Sequence, residues 1–300
     1  MTIADMLRPE TKKRKPLANG AFVASAPASR DFKARAEIVA AVAARHASSV
    51  DSEARFPAEA IAAAREQRLL GIMVPRELGG EGASISEIAD VCYRLGRACS
   101  STAMIYAMHQ TKVACLVRHT HGSAWHERLL RRLASEELLF ASSTTEGQGG
   151  GNVRSSQAPI EFSDGRIYLE RKATVISYGA QADAVVTTAR RSGDASSADQ
   201  VLVAFLKEDY TLEPQLSWDT LGMRGTCSAG FLLKARGEDA QILPDPYERI
   251  HVESMAPGSQ SVFAKRGSIL PPASCKRKRA MRVPVSIVVR MNRASNMMAK

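Results

Sequence analysis

No uninterrupted apolar stretch in the 300 residues reaches the roughly 18 needed for a membrane-crossing helix, so no membrane span is expected. The basic run Lys12–Lys15 has no apolar segment behind it, which excludes a secretory signal. Residues 1–30 read as a disordered leader, with a nucleic-acid or targeting role as the alternative. The five cysteines (Cys92, Cys99, Cys115, Cys227, Cys275) show no CxxC spacing, which excludes a disulfide scaffold and fits a reducing, cytoplasmic setting. Cys92 and Cys99, seven apart, are expected to pack on one helix face. His119-Thr120-His121 lacks a third ligand at metal spacing, so a solvated helix end and no metal are expected. A strand running into GxGxxG, the opening of a nucleotide-binding βαβ unit, is also missing.

Acidic residues run out after Glu253. Residues 261–300 carry ten Lys or Arg, and removing them leaves 31 basic and 31 acidic side chains in the remainder. The net charge of +10 therefore belongs wholly to the tail and does not make the main body a nucleic-acid protein. Prolines 271, 272 and 284 break that tail, which presents no sustained helical period.

What is present is helical first. Residues 31–71 are rich in Ala, Glu and Arg, with Ile38, Val42, Ile61, Leu69 and Leu70 among the apolar positions. Asp31 suits an N-cap, Pro57 the first turn of a second helix, and Gly71 its end. Ser84 with Glu87 forms a capping-box pattern, and about five helices are expected by residue 138. The period then changes to that of strands at Ile160–Phe162, Ile167–Leu169, Val175–Ile176 and Ala184–Thr188, followed by "QVLVAFLKED" and "GFLLKAR". Asp164-Gly165 marks a two-residue hairpin turn. This order predicts an α+β protein in which an α-helical domain precedes an antiparallel β domain.

Between the two lies "ASSTTEGQGGGN", residues 141–152, where four hydroxyls and one acid run into a glycine cluster. Such a loop either connects elements flexibly or brings backbone and hydroxyl donors close to a ligand, most naturally an anionic one.

Four stretches, "IMVPRELGGEGAS", "STTEGQGGGN", "ATVISYGAQAD" and "DTLGMRGTCSAGFLL", resemble, in that order, segments of the acyl-CoA dehydrogenase family. The resemblance covers about residues 31–250. It implies domains at 31–140 (α-helical) and 141–255 (flavin-binding, antiparallel β-barrel-like), with an atypical basic tail at 256–300. It also implies FAD, with Ser142, Ser143, Thr144 and Thr145 bordering the ring and Gly150 and Gly151 beside the phosphates and the acyl entry. Val175, Ile176 and Ser177 would form the opposite strand. Acyl-CoA or a related acyl thioester would be the substrate, oxidised by α-proton abstraction with β-hydride transfer to FAD. An electron-accepting flavoprotein and a homo-oligomeric assembly are implied for the intact relative. Gly147, Gly151 and Asn152 replace the family's Pro, Ser and Asp, and Val175 replaces its aromatic. The family's glutamate base comes from a C-terminal helical bundle, which the acid-free tail does not resemble. The expectation is therefore a truncated or frame-shifted chain without that base. A flavin-dependent monooxygenase of the same fold, and a non-catalytic protein acting through its basic tail, are the competing readings.

Overall fold

The computed structural model describes residues 31–146 and 153–256. The expectations for the leader 1–30, the tail from 257 onward and the glycines at 150 and 151 lie outside the described residues.

Five helices come first: α1 (Phe32–Ser52), α2 (Ala58–Glu66), α3 (Ile85–Ala98), α4 (Ser100–His119) and α5 (Ala124–Glu136). Local signals set their starts. Asp31 accepts from the Ala34 amide at 2.9 Å, and Ser84 and Glu87 close a reciprocal capping box at α3. On α3, Ile88, Val91, Cys92 and Leu95 recur at helical spacing and are all buried. Pro57 does precede α2, but that helix ends at Glu66 rather than at Gly71. Arg68 makes the left-handed turn instead, with φ 50°. Gly71 serves close packing: a Cβ there would stand 2.8 Å from the Ala134 Cα. Cys99 caps α3 in extended backbone and packs in a separate cluster from Cys92, because the helix stops before a full second turn carries both to one face.

The strands are β1 (Phe140–Ser143), β2 (Glu161–Ser163), β3 (Arg166–Ala173), β4 (Ala184–Arg190), β5 (Gln200–Leu206), β6 (Tyr210–Leu216) and β7 (Gly230–Gly237). They form two sheets, ordered β1-β4-β5 and β2-β3-β7-β6. Asp164 and Gly165, both at positive φ, join β2 to β3 as expected. The pairing is antiparallel with one exception, since β1 runs parallel to β4. The chain crosses through β2 and β3 before returning as β4, and such a crossover permits parallel pairing. No closed barrel forms among the described strands. Pro214 sits in β6, an edge strand where a missing N–H is tolerated.

One apolar core runs from Phe32 on α1 to Ile250 on α6 (Tyr247–Ile250), which continues into a π turn, His251–Met255. At its centre, α4 turns polar side chains onto the backbone between α2 and α3. The Tyr106 hydroxyl and the Gln110 amide donate to the Leu69 carbonyl, each at 3.0 Å. His109 Nδ1 accepts from the Phe140 amide at 3.0 Å. Its Nε2 therefore carries the hydrogen and donates to the Leu70 carbonyl at 3.0 Å. Burial pushes His109 down to about 4, so the ring is a neutral bridge between helix and sheet.

The loop before β7 also packs on the helices, through Gly225. A Cβ there would fall 2.3 Å from Val50 Cγ1, 3.0 Å from the Arg55 carbonyl and 3.1 Å from Ser101 Cβ. Gly225→Ala is expected to cost about 1–3 kcal/mol through overpacking. Urea unfolding checks this, and a variant as stable as the parent would refute the contact.

Candidate functional site

The hydroxyl run begins on β1. Successive residues of a strand point to opposite faces, and accordingly Ser142 is half-buried while Ser143 is fully buried. The register pairs Ser143 with Thr187, whose hydroxyl donates to the Ser143 carbonyl at 2.8 Å. The Ser143 hydroxyl itself finds no hydrogen-bond partner among the described residues. Thr144 and Thr145 follow the strand and are half-buried. Four adjacent hydroxyls thus stand on more than one face, which sequence adjacency alone does not reveal.

The segment Val175, Ile176, Ser177 is not a strand, contrary to the expectation from its β-branched residues. β3 ends at Ala173, and the next residues bond outward to the loop before β7. The Ile176 amide donates to Ala229 at 2.9 Å, and the Tyr178 amide to Thr226 at 2.8 Å. Tyr178 takes left-handed backbone, φ 45°, and its buried hydroxyl donates to the Phe140 carbonyl at 3.0 Å. Burial raises that phenol well above its ordinary value, so it is a neutral donor. This bond ties the second segment to the start of β1. Val175 is exposed, Ile176 is buried in the core, and Ser177 lies between.

Ser177 ends a chain of hydroxyls. Thr226 and Ser228 stand 2.7 Å apart, and the Ser228 hydroxyl donates to Ser177 at 2.8 Å. The Thr226 hydroxyl gives its hydrogen to the Met223 carbonyl at 2.8 Å, and with Ser228 donating to Ser177 the Ser177 hydrogen is not used within this group. Neither Thr226 nor Ser228 stood out in the sequence. Their signal was the "RGTCS" pattern of the late hairpin, without any indication that it meets Ser177.

Glu146, the acid of the glycine-rich segment, is committed elsewhere. Its carboxylate accepts from the Ser156 hydroxyl at 2.7 Å, the Gln157 amide at 2.6 Å and the Ala158 amide at 3.4 Å. It also pairs with the buried Arg171 at 3.0 Å. Arg171 donates in addition to Ser156, at 3.2 Å, and to the Thr188 carbonyl. Burial draws its guanidinium below the ordinary value, against the charge of Glu146. Glu146 therefore clasps the chain on both sides of residues 147–152. Both of its carboxylate oxygens are thus engaged by groups of the chain.

The histidine pair differs from its expectation. His119 is buried, not solvated, because Asp245 supplies a third group from far along the chain. His119 Nδ1 and His121 Nε2 each lie 2.6 Å from Asp245 Oδ2.

Residues 30–137 match the family model described as acyl-CoA dehydrogenase, N-terminal domain. The probable acyl-CoA dehydrogenase YngJ of Bacillus subtilis (strain 168) is 27% identical over 204 residues, 67% of this chain and 53% of that protein. Among solved structures, a glutaryl-coenzyme A dehydrogenase in complex with glutaryl-CoA superposes with a TM-score of 0.65 at 20% identity, covering 79% of this chain and 64% of that one. Dibenzothiophene monooxygenase (TdsC) from Paenibacillus sp. A11-2 superposes with a TM-score of 0.62 at 18% identity, covering 72% and 54%. The chain spans about half the length of the curated relatives it matches. No described helix is long and apolar enough to cross a membrane. Residues 30–137 thus match an acyl-CoA dehydrogenase N-terminal domain, and the helical and strand-rich parts together have the fold of the acyl-CoA dehydrogenase structures they resemble.

Proposed function

We propose that this chain forms the helical and flavin-holding parts of an FAD-dependent acyl thioester dehydrogenase. The observation that carries the reading is the hydrogen bond from Ser228 to Ser177, which leaves the Ser177 donor beside a segment bonded to β1. The unpaired Ser143 hydroxyl supports it, since a buried polar atom without a partner costs about 1–3 kcal/mol unless something satisfies it. In this reading Ser177 and hydroxyls from the run Ser142, Ser143, Thr144 and Thr145 that share its side would orient the ring edge, with Gly150 and Gly151 at its phosphates. Bound FAD would accept a hydride from the substrate β carbon as the α proton leaves, yielding the enoyl thioester. Glu146 holds the loop, with both carboxylate oxygens engaged by the chain. Reoxidation would fall to an electron-carrying flavoprotein, and the assembly would be a homo-oligomer.

Fluorescence quenching of FAD by the 300-residue chain tests the site. Ser177→Ala is expected to weaken binding about fivefold, the equivalent of one hydrogen bond of ~1 kcal/mol. Unchanged affinity would remove Ser177 from the site. Dye reduction with acyl-CoAs, dependent on added FAD, is the expected activity under this reading, and its absence with a flavin-loaded chain would count against it. A second reading, flavin monooxygenase activity, is favoured by the fold likeness to the dibenzothiophene enzyme. Oxygen consumption with reduced flavin, and no thioester oxidation, would select it.

A further inference from the structure

We propose that His119, His121 and Asp245 form a binding site for a divalent first-row transition-metal ion, fastening the end of α4 to the segment that contains α6. The three side chains offer two imidazole nitrogens and one carboxylate oxygen within 4.8 Å of one another. Two histidines and a carboxylate, with solvent in the fourth position, suit zinc, cobalt or nickel rather than calcium or magnesium.

The local backbone builds this arrangement. α4 ends at His119, Thr120 caps it, and His121 adopts left-handed backbone with φ 43°. Histidine rarely takes that conformation, and a C-terminal glycine would take it at no steric cost. The turn brings a half-exposed His121 back toward the carboxylate that the buried His119 already meets. Both rings converge on the same oxygen, Oδ2, while Arg249 holds Oδ1 at 3.2 Å. The other nitrogen of His119 lies 2.9 Å from the Ser254 hydroxyl. That is the outer partner a metal-bound histidine uses to fix ring and tautomer.

The 2.6 Å spacings are those of hydrogen bonds, in which ring N–H groups point at the oxygen. Ligands about 2.0–2.2 Å from a shared tetrahedral ion stand roughly 3.3 Å apart. Each nitrogen–oxygen spacing must therefore open by less than about 1 Å while the two nitrogens, within 4.8 Å of each other, come to the same spacing, the ion standing where the ring hydrogens pointed. His121, on an exposed turn, is the side chain able to make that shift. Arg249 is the nearby cation that opposes the ion, although its charge is shared with Glu253 at 3.0 Å.

Cobalt(II) added to the full 300-residue chain tests the site. The expected result is uptake of one ion with visible bands of nitrogen and oxygen ligation, free of the near-ultraviolet sulfur charge-transfer band that cysteine binding would add. Zinc should displace it and raise the unfolding temperature in a concentration-dependent way. His121→Ala, at an exposed position where folding is not at stake, is expected to weaken uptake by at least about tenfold. Asp245→Asn should do the same. No uptake by the parent chain, undiminished uptake by His121→Ala, or sulfur-type bands would each overturn the proposal.

Discussion

Replacing Glu146 with alanine is expected to lower the stability of this protein by about 3–5 kcal/mol, far more than the ~0–1 kcal/mol of an exposed ion pair. The difference lies in what remains. Arg171 is fully buried on β3, and two of its nitrogens already lack partners among the described residues. Without the carboxylate its charge would stand in the core held only by Ser156 and the Thr188 carbonyl. Removing both charges, as Glu146→Ala with Arg171→Met, should restore more than half of the loss, because an apolar side chain of similar length costs no desolvation. Urea unfolding of the three variants measures the coupling. A single variant within 1 kcal/mol of the parent, or a double variant as unstable as the single, would show that the pair is not coupled through buried charge.

The pH dependence should carry two opposed limbs. His109 has a folded value of about 4 against an ordinary 6.5, lowered by burial. The unfolded chain binds the proton more readily, so this contribution is fully present above pH 6.5 and is lost as pH falls toward 4. It amounts to about 3 kcal/mol at 1.36 kcal/mol per unit. Glu137 does the reverse. Its carboxyl, held by the Leu70 and Gly71 amides at 2.7 and 3.3 Å, is pushed up by burial to about 7 from 4.5. Stability from this group is greatest below pH 4.5 and lost as pH rises through 7, again by about 3 kcal/mol. Between pH 4.5 and 6.5 the two nearly cancel. Glu137→Gln should therefore uncover the histidine limb, with unfolding free energy falling steadily as pH drops from 6.5 to 4. It should also flatten the decline that the parent shows above pH 6.5, where Glu137 alone still titrates. His109→Leu should uncover the opposite limb, at a cost of about 1–3 kcal/mol from the Phe140 amide and Leu70 carbonyl it leaves behind. Parallel pH profiles for parent and variants would contradict both assignments.

Much of the scaffold was already determined by the sequence, and for one reason. The Asp31 cap, the Ser84–Glu87 box and the Asp164-Gly165 turn each close over four residues or fewer. Their energetics depend on neighbours that any chain with those letters will have. Helical spacing likewise marked the buried face of α3, although on α1 it did not show that Ile38 faces outward. The ordered series of family-like stretches located the hydroxyl and glycine segment between helices and strands.

What tertiary structure alone decided involves partners far apart in the chain. β1 and β4 pair in parallel across 44 residues, and nothing in four residues of "FASS" specifies the partner's direction. Val175–Ser177 carries strand-forming residues, yet bonds to Thr226 and Ala229 and to β1 through Tyr178, which overrides local propensity. Glu146 became a loop clasp because β3 delivers Arg171 to it. His119 and His121 acquired Asp245 from 126 and 124 residues away. In each case the deciding term is a buried charge or polar group that must find a partner, and only the folded chain determines which partner is within reach.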